Sequence, residues 1–139
     1  SLLPTEAGRL LAGTSYGGGG IPNDQTNEAS DIILLHGNGQ HEPERIREMV
    51  RTVRDQSSYG GQPILFNEDD HFDFDKEDNN LLAALSQHAS WGLFDYRMRK
   101  HDEGYEQGYQ SVPVDWGSHS ERKRGFYRLL REITTSEAD

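Results

Sequence analysis

Short apolar runs alternate with polar, glycine-rich or amphipathic stretches along most of the chain. Four of these runs are bounded by turn residues, a pattern typical of strands in a parallel sheet that is covered by other elements. They predict strands near residues 10–16, 31–35, 63–67 and 91–95. Parallel strands need crossover connections, so we expect the intervening stretches to pack on the outside of the sheet as helices.

Three stretches have the periodicity of an amphipathic helix. The first begins at Glu42 and Pro43, with proline suited to the first helical turn. Its apolar face consists of Ile46, Met49, Val50 and Val53. The second covers residues 80–89, and the third covers residues 119–133 after a capping-box pair. Residues 98–117 show neither period and are interpreted as a long functional loop.

The number of predicted strands bears on the fold class. A complete (β/α)8 barrel has about 250 residues, which is roughly 31 for each βα unit. Four units and a long final loop fit the 139 residues of this chain. The sequence therefore predicts an α/β protein with four βα units, parallel strands and outer helices, as a single partial domain over residues 1–139. Such a domain is half of a barrel, and a small open α/β sheet is the structural alternative.

Composition limits the partners of this domain. Hydrophobic residues make up only 32% of the chain and mean hydropathy is -0.88, so some apolar surface is expected to face a partner or missing chain. We therefore consider self-association, or pairing with a missing N-terminal half. The net charge of -10, without a basic stripe, argues against nucleic-acid and anionic membrane partners. No apolar run approaches membrane-spanning length, and the absence of cysteine leaves the compartment undetermined.

Polar and aromatic residues are concentrated where the predicted strands end. Ligands of parallel α/β sheets bind beyond the carboxyl ends of the strands, so these residues are expected to converge on one rim. Polar and aromatic side chains at the ends of all four predicted strands suit the binding of a hydroxylated substrate. The candidate binding residues at strand ends are Tyr16, His36, Asn38, Asn67, His71, Trp91 and Asp95. Those in the long loop are Tyr105, Tyr109 and Trp116.

Two other kinds of active site need to be considered. Asp69, Asp70 and His71 are clustered as in sites for hard cations, so a metal-dependent hydrolase stays open as an alternative. No metal or other cofactor is assigned, because the acidic stretch lacks the glycine of an EF-hand loop and the chain has no HExxH pair. Ser15 lies in a G-x-S-x-G pattern, but glycines follow it where a nucleophile elbow requires a helix.

Four motifs carry a family resemblance. From about Leu10 to Ile133 the chain resembles the C-terminal half of a glycoside-hydrolase-like TIM barrel. It is similar in particular to uncharacterised bacterial glycosidase-like proteins with comparable LLHGNG, PILFNEDDH, ASWGLFDYR and DWG motifs. The resemblance implies strands five to eight, with His36 on strand six, Glu68 closing strand seven and Trp91 on strand eight. Carbohydrate hydrolysis in the complete protein is the function that follows.

The same resemblance implies roles for single residues. Glu68 would be the nucleophile or a charge stabiliser, Asn67 and His36 would orient it or bind sugar hydroxyls, and Trp91 would form the floor of a sugar subsite. The family's general acid/base closes strand four, which this chain does not contain. Retaining hydrolysis uses two carboxyl groups, so we expect the chain alone to be catalytically incomplete. A non-catalytic half-barrel that pairs with another chain is the remaining alternative.

Overall fold

The computed structural model describes residues 10–71, 73–94, 98–100, 110–112 and 121–135. This part of the chain is a mixed α/β structure with a parallel sheet, which confirms the α/β part of the prediction. Its helices are α1 (Asp24–Ala29), α2 (Pro43–Asp55), α3 (Asn80–Ser86) and α4 (Glu121–Thr135). Its strands are β1 (Ile33–His36), β2 (Ile64–Glu68), β3 (Ser90–Trp91), β4 (Met98–Lys100) and β5 (Gln110–Val112). None of the described helices is long and apolar enough to cross a bilayer.

The main sheet consists of β1, β2 and β3, which are parallel and lie side by side in chain order. Helix α2 connects β1 to β2, and α3 connects β2 to β3. The carboxyl ends of all three strands therefore meet at one edge of the sheet. Two of the four predicted strands are present over most of their length, and the third, β3, is reduced to two residues.

The prediction of a strand over residues 10–16 is wrong. The segment lies beside β1, where the Asp31 amide donates to the Ala12 carbonyl (2.7 Å) and the Gly19 amide donates to the His36 carbonyl (2.9 Å). These two bonds lie five residues apart on β1 and its approach, at either end of the segment, so the segment covers the edge of β1 without forming the continuous ladder of a strand.

The prediction that residues 98–117 lack regular structure is wrong for six of them. Residues 98–100 pair in parallel with residues 110–112, as a separate two-stranded sheet. Strands of three residues are too short to show a period of two in the sequence. The remaining residues of that range lie outside those that the structure describes.

Helix α1 is not predicted by the sequence pattern. Its six residues, Asp24 to Ala29, are mostly polar and show no apolar face. Tertiary contacts and the cap hold it instead: Asn23 accepts a hydrogen bond from the Thr26 amide (2.9 Å), and the side chain of Asn27 is fully buried.

The core lies between α2 and one face of the sheet. The four apolar residues predicted for α2 are completely buried, and they pack against Ile33, Leu35, Ile64 and Phe66. The alternate residues of the strands point to the opposite face, where Leu34 pairs with Leu65 and both are only half-buried. The sheet thus has one closed face and one face that the described residues cover in part.

Candidate functional site

A bulge brings two predicted site residues together at the carboxyl edge of the sheet. Leu35 of β1 pairs with Phe66 of β2, but the next residue, His36, pairs with Glu68. Asn67 is therefore an extra residue in β2. Bulges of this kind redirect side chains and occur often beside active sites. Without this one, His36 would lie opposite Asn67 instead of Glu68.

The imidazole ring of His36 lies between the side chains of Asn67 and Glu68. Its Nδ1 is 3.7 Å from Oε2 of Glu68, and its Nε2 is 3.4 Å from Nδ2 of Asn67. The amide nitrogen of Asn67 can only donate, so Nε2 accepts and the proton of the neutral ring lies on Nδ1. That proton faces the Glu68 carboxylate. The side chain of His36 is 16% exposed and that of Glu68 is 32% exposed, so both reach solvent.

A tight turn follows β1 and forms one wall of the site. The Gln40 amide donates to the Gly37 carbonyl (2.9 Å), and Gly39 has a φ of 75°, a combination typical of a type II turn. Contacts from the end of β2 hold this turn. The Gly37 amide donates to the Glu68 carbonyl (2.7 Å), and the Gly39 amide donates to Oδ1 of Asp70 (3.0 Å).

The turn and the strand ends enclose an open cleft of about 320 Å³. Its lining consists of Gly18, His36, Asn38, Gly39 and Glu68. Two buried carbonyl oxygens, Oδ1 of Asn38 and Oδ1 of Asn67, have no hydrogen-bond partner in the described part of the chain. Buried acceptors without donors are costly, so these oxygens favour a ligand that brings hydroxyl or amide hydrogens. Glu68 is the carboxylate among the described lining residues.

The acidic pair after Glu68 points into the protein. Asp69 is completely buried: its Oδ2 accepts from Nε1 of Trp91 (2.8 Å) and Nδ2 of Asn80 (2.8 Å), and its Oδ1 accepts from the His71 amide (2.9 Å). Burial raises the pKa of Asp69, although these hydrogen bonds act in the opposite direction. Asp70 is 8% exposed and anchors the Gly37–Gln40 turn.

This geometry bears on the metal alternative. The oxygens of Asp69 already accept three hydrogen bonds, and Nε2 of His71 lies 3.7 Å from Oδ2 of Asp73. Within the residues that the structure describes, no three histidine, aspartate or glutamate side chains are grouped so that they could hold a metal ion. The role of the acidic pair seen here is to support the turn and the strand ends.

The other predicted site residues have separate positions. The hydroxyl of Tyr16 shares a hydrogen bond with Thr26 of α1 (2.9 Å), which directs this side chain toward α1. The ring of Trp91 is half-buried and packs with Phe74 and Phe126, at centroid distances of 5.9 and 6.0 Å. Four predicted residues lie outside those described: Asp95, Tyr105, Tyr109 and Trp116.

The structure thus brings together four of the predicted residues, His36, Asn38, Asn67 and Glu68. Sequence reasoning missed Gly18, which lies against the Asn38 carbonyl, because a glycine has no side chain to mark it as part of a binding site. It also missed Asn80, whose amide binds both Asp69 and the Gln40 carbonyl (2.9 Å). An asparagine pair at the start of a predicted helix was the available signal for it.

No family model, no curated protein and no solved structure matches the chain. A proposal of function therefore depends on the site itself and on the motif resemblance described above.

Proposed function

We propose that the chain belongs to a carbohydrate-hydrolysing enzyme, in which Glu68 is the nucleophile or the main charge stabiliser. The observation that carries this proposal is the pairing of Glu68 with His36 at the carboxyl edge of a parallel sheet. Chemistry in α/β sheets gathers at that edge. The glycosidase-like motifs place a glutamate and a histidine on the corresponding strands, which adds support.

The site suits the task of stabilising positive charge on a sugar ring. The carboxylate of Glu68 is partly exposed to the cleft, so it can approach an anomeric carbon. His36 lies beside this carboxylate, with Nδ1 3.7 Å from Oε2, and the contact with the Asn67 amide favours the tautomer that has its proton on Nδ1. The unpaired oxygen of Asn38, a residue that lines the cleft, would accept a hydrogen bond from a sugar hydroxyl.

Hydrolysis by two carboxyl groups requires a second one at a suitable distance from Glu68. In retaining enzymes the two groups are about 5 to 5.5 Å apart and lie on either side of the scissile bond. Asp69 and Asp70 are turned into the protein, where they bind Trp91, Asn80 and Gly39. In this proposal the general acid/base comes from the half of the barrel that precedes the chain.

The open face of the sheet supports a missing half. Leu34 and Leu65 lie on the face away from α2 and are half-buried, as expected for side chains that point into an incomplete barrel. We propose that β1, β2 and β3 correspond to strands six, seven and eight of a (β/α)8 barrel. The segment beside β1 takes the place of strand five.

An activated glycoside gives a test that does not need the second carboxyl group. Dinitrophenyl 2-deoxy-2-fluoroglycosides have a leaving group that departs without protonation, and their fluorine slows release of the glycosyl intermediate. Incubation of the protein with a panel of these reagents should produce one glycosyl adduct per chain. Peptide mapping by mass spectrometry should locate the adduct on Glu68.

Two substitutions make this test specific. Glu68→Gln should abolish the adduct, because an amide does not attack the anomeric carbon. Glu28→Gln is the matched control, since Glu28 is exposed on α1 and does not line the cleft, and it should label like the wild type. An adduct that persists in Glu68→Gln, or that maps to another residue, would remove Glu68 from the mechanism.

A further inference from the structure

Trp91 lies on a short strand beside the end of β2, where its ring packs against the core. Strand β3 has only two residues, and its pairing with β2 consists of Leu65 with Ser90 and Phe66 with Trp91. The neighbouring rings of Phe74 and Phe126 fill space beside the indole. Aromatic packing tolerates several ring orientations, whereas a hydrogen bond selects one. The bond from Nε1 to Oδ2 of Asp69 (2.8 Å) supplies that selection.

We propose that Asp69 is a positioning residue, whose buried carboxylate fixes the Trp91 indole ring beside the end of the strand that carries Glu68. Other contacts hold the Asp69 carboxylate in place beside Trp91. Asn80 binds the same oxygen as Trp91, and the His71 amide binds the other oxygen. On the remaining side the backbone of Gly37 lies so close that a Cβ there would overlap the Asp69 carboxylate.

The hydrogen-bond pattern also indicates that Asp69 positions Trp91 as a carboxylate. The three groups bound to it are an indole N–H, an amide N–H and a backbone N–H, all of which can only donate. A carboxylate accepts from all three, whereas a side-chain amide at this position would have to turn its own NH2 toward at least one donor. Asp69→Asn should therefore loosen the arrangement, and Asp69→Ala should remove it.

This inference rests on the proposed function in one respect. That function supplies the sugar ring that Trp91 would contact. A partly exposed indole beside the end of β2 is a platform for the apolar face of a sugar ring. The positioning of the ring by Asp69 is separate from this step and can be tested without any substrate.

Hydrogen exchange at the indole nitrogen of Trp91 tests the positioning directly. In the wild-type protein this N–H should be protected from exchange. In Asp69→Ala its exchange should be at least about tenfold faster after correction for global unfolding, measured by urea titration of the same samples, because a bond to a charged acceptor is lost. Asp69→Asn should give a smaller acceleration, and it decides the question if Asp69→Ala does not fold.

Fluorescence provides a second readout and a control. The chain has two tryptophans, so a Trp116→Phe background isolates the emission of Trp91. Substitution of Asp69 should increase acrylamide quenching of this emission. Asp70→Asn is the matched control, because Asp70 is also a buried acid of the same loop but binds the Gly39 amide. It should leave Trp91 exchange and quenching unchanged.

Three results would overturn the proposal: an unprotected indole N–H in the wild type, unchanged Trp91 signals in folded Asp69 variants, or equal effects of Asp69→Asn and Asp70→Asn. Failure of the proposed function looks different. A protected Trp91 in a protein whose Glu68 takes no glycosyl label would refute Glu68 as the nucleophile and leave the positioning intact. A labelled Glu68 with an unprotected indole would support Glu68 as the nucleophile and refute the positioning of Trp91 by Asp69.

Discussion

His36 and Glu68 face each other across β1 and β2, with Nδ1 3.7 Å from Oε2, because the register of the two strands shifts by one residue at Asn67. The shift places the imidazole ring of His36 beside the carboxylate of Glu68. The pair is therefore the first target for substitution.

His36→Ala should reduce the glycosyl labelling rate of Glu68 by about two- to fivefold, because a contact of 3.7 Å between partly exposed groups is worth about 1 kcal/mol or less. The carboxylate would lose its neighbouring imidazole, and Asn67 would lose its acceptor. His41→Ala is the control, because His41 is exposed and does not line the cleft. Equal labelling rates for His36→Ala and the wild type would contradict a functional pairing.

Gly37→Ala should destabilise the protein, because the new methyl group would overlap the buried Asp69 carboxylate. Forced overpacking of this kind costs about 1 to 3 kcal/mol in the free energy of unfolding, measurable as a lower urea midpoint. Gly17→Ala provides the comparison, since a Cβ at Gly17 would meet nothing within 4 Å. Similar midpoints for the two variants would show that the Gly37 turn tolerates displacement.

The stability contributed by Asp69 should decrease as pH rises. Burial raises the pKa of Asp69 in the folded protein above the ordinary value of 3.8. Between 3.8 and the raised pKa the folded state binds more protons than the unfolded state, so the free energy of unfolding falls with increasing pH across that window. Above the window the contribution is constant.

The pH dependence is isolated by a difference between two proteins. The free energy of unfolding of wild type and of Asp69→Asn is measured by urea titration at several pH values. The pH dependence that comes from all other ionisable groups is common to both proteins and cancels in the difference. The wild-type value minus the variant value should fall from about pH 4 upward and then level off. A difference that increases with pH would mean that the three hydrogen bonds outweigh burial.

Arg47→Ala should lower stability by about 0.5 to 1 kcal/mol, at the upper end for surface ion pairs. Arg47 is 20% exposed and makes a bidentate salt bridge with Asp78, which connects α2 to the segment before α3. Arg45→Ala should have less effect, because Arg45 is 45% exposed and pairs with Glu48 within the same helix. High salt should reduce the Arg47 effect, and an effect that salt leaves unchanged would argue for packing instead of charge.

Prediction from sequence succeeded where the signal is local. The apolar face of α2 follows from a spacing of three and four residues, and all four of its members are buried. The runs near Leu35 and Phe66 were recognised as strands because they are apolar and end at turn residues. It failed for residues 10–16, whose apolar run resembles a strand but is joined to β1 and its approach by single backbone bonds near its two ends.

The candidate site was predictable only in part, because contacts between residues far apart in the chain set its geometry. The sequence shows that polar side chains follow β1 and β2. On that ground it predicts the site residues His36, Asn38, Asn67 and Glu68. The charge run that begins at Glu68 appeared uniform. Its members differ because Glu68 reaches the cleft while Asp69 is enclosed by Trp91, Asn80 and Gly37, which come from distant parts of the chain.

The sequence by itself determined the α/β class, the helix that covers the sheet and the presence of polar groups at the strand ends, since each depends on spacing between near neighbours. Only the tertiary structure decided that Asn67 bulges, that Glu68 meets His36 and that Asp69 turns inward to hold Trp91. These features depend on which residues pair across strands, and pairing is set by packing of the whole sheet.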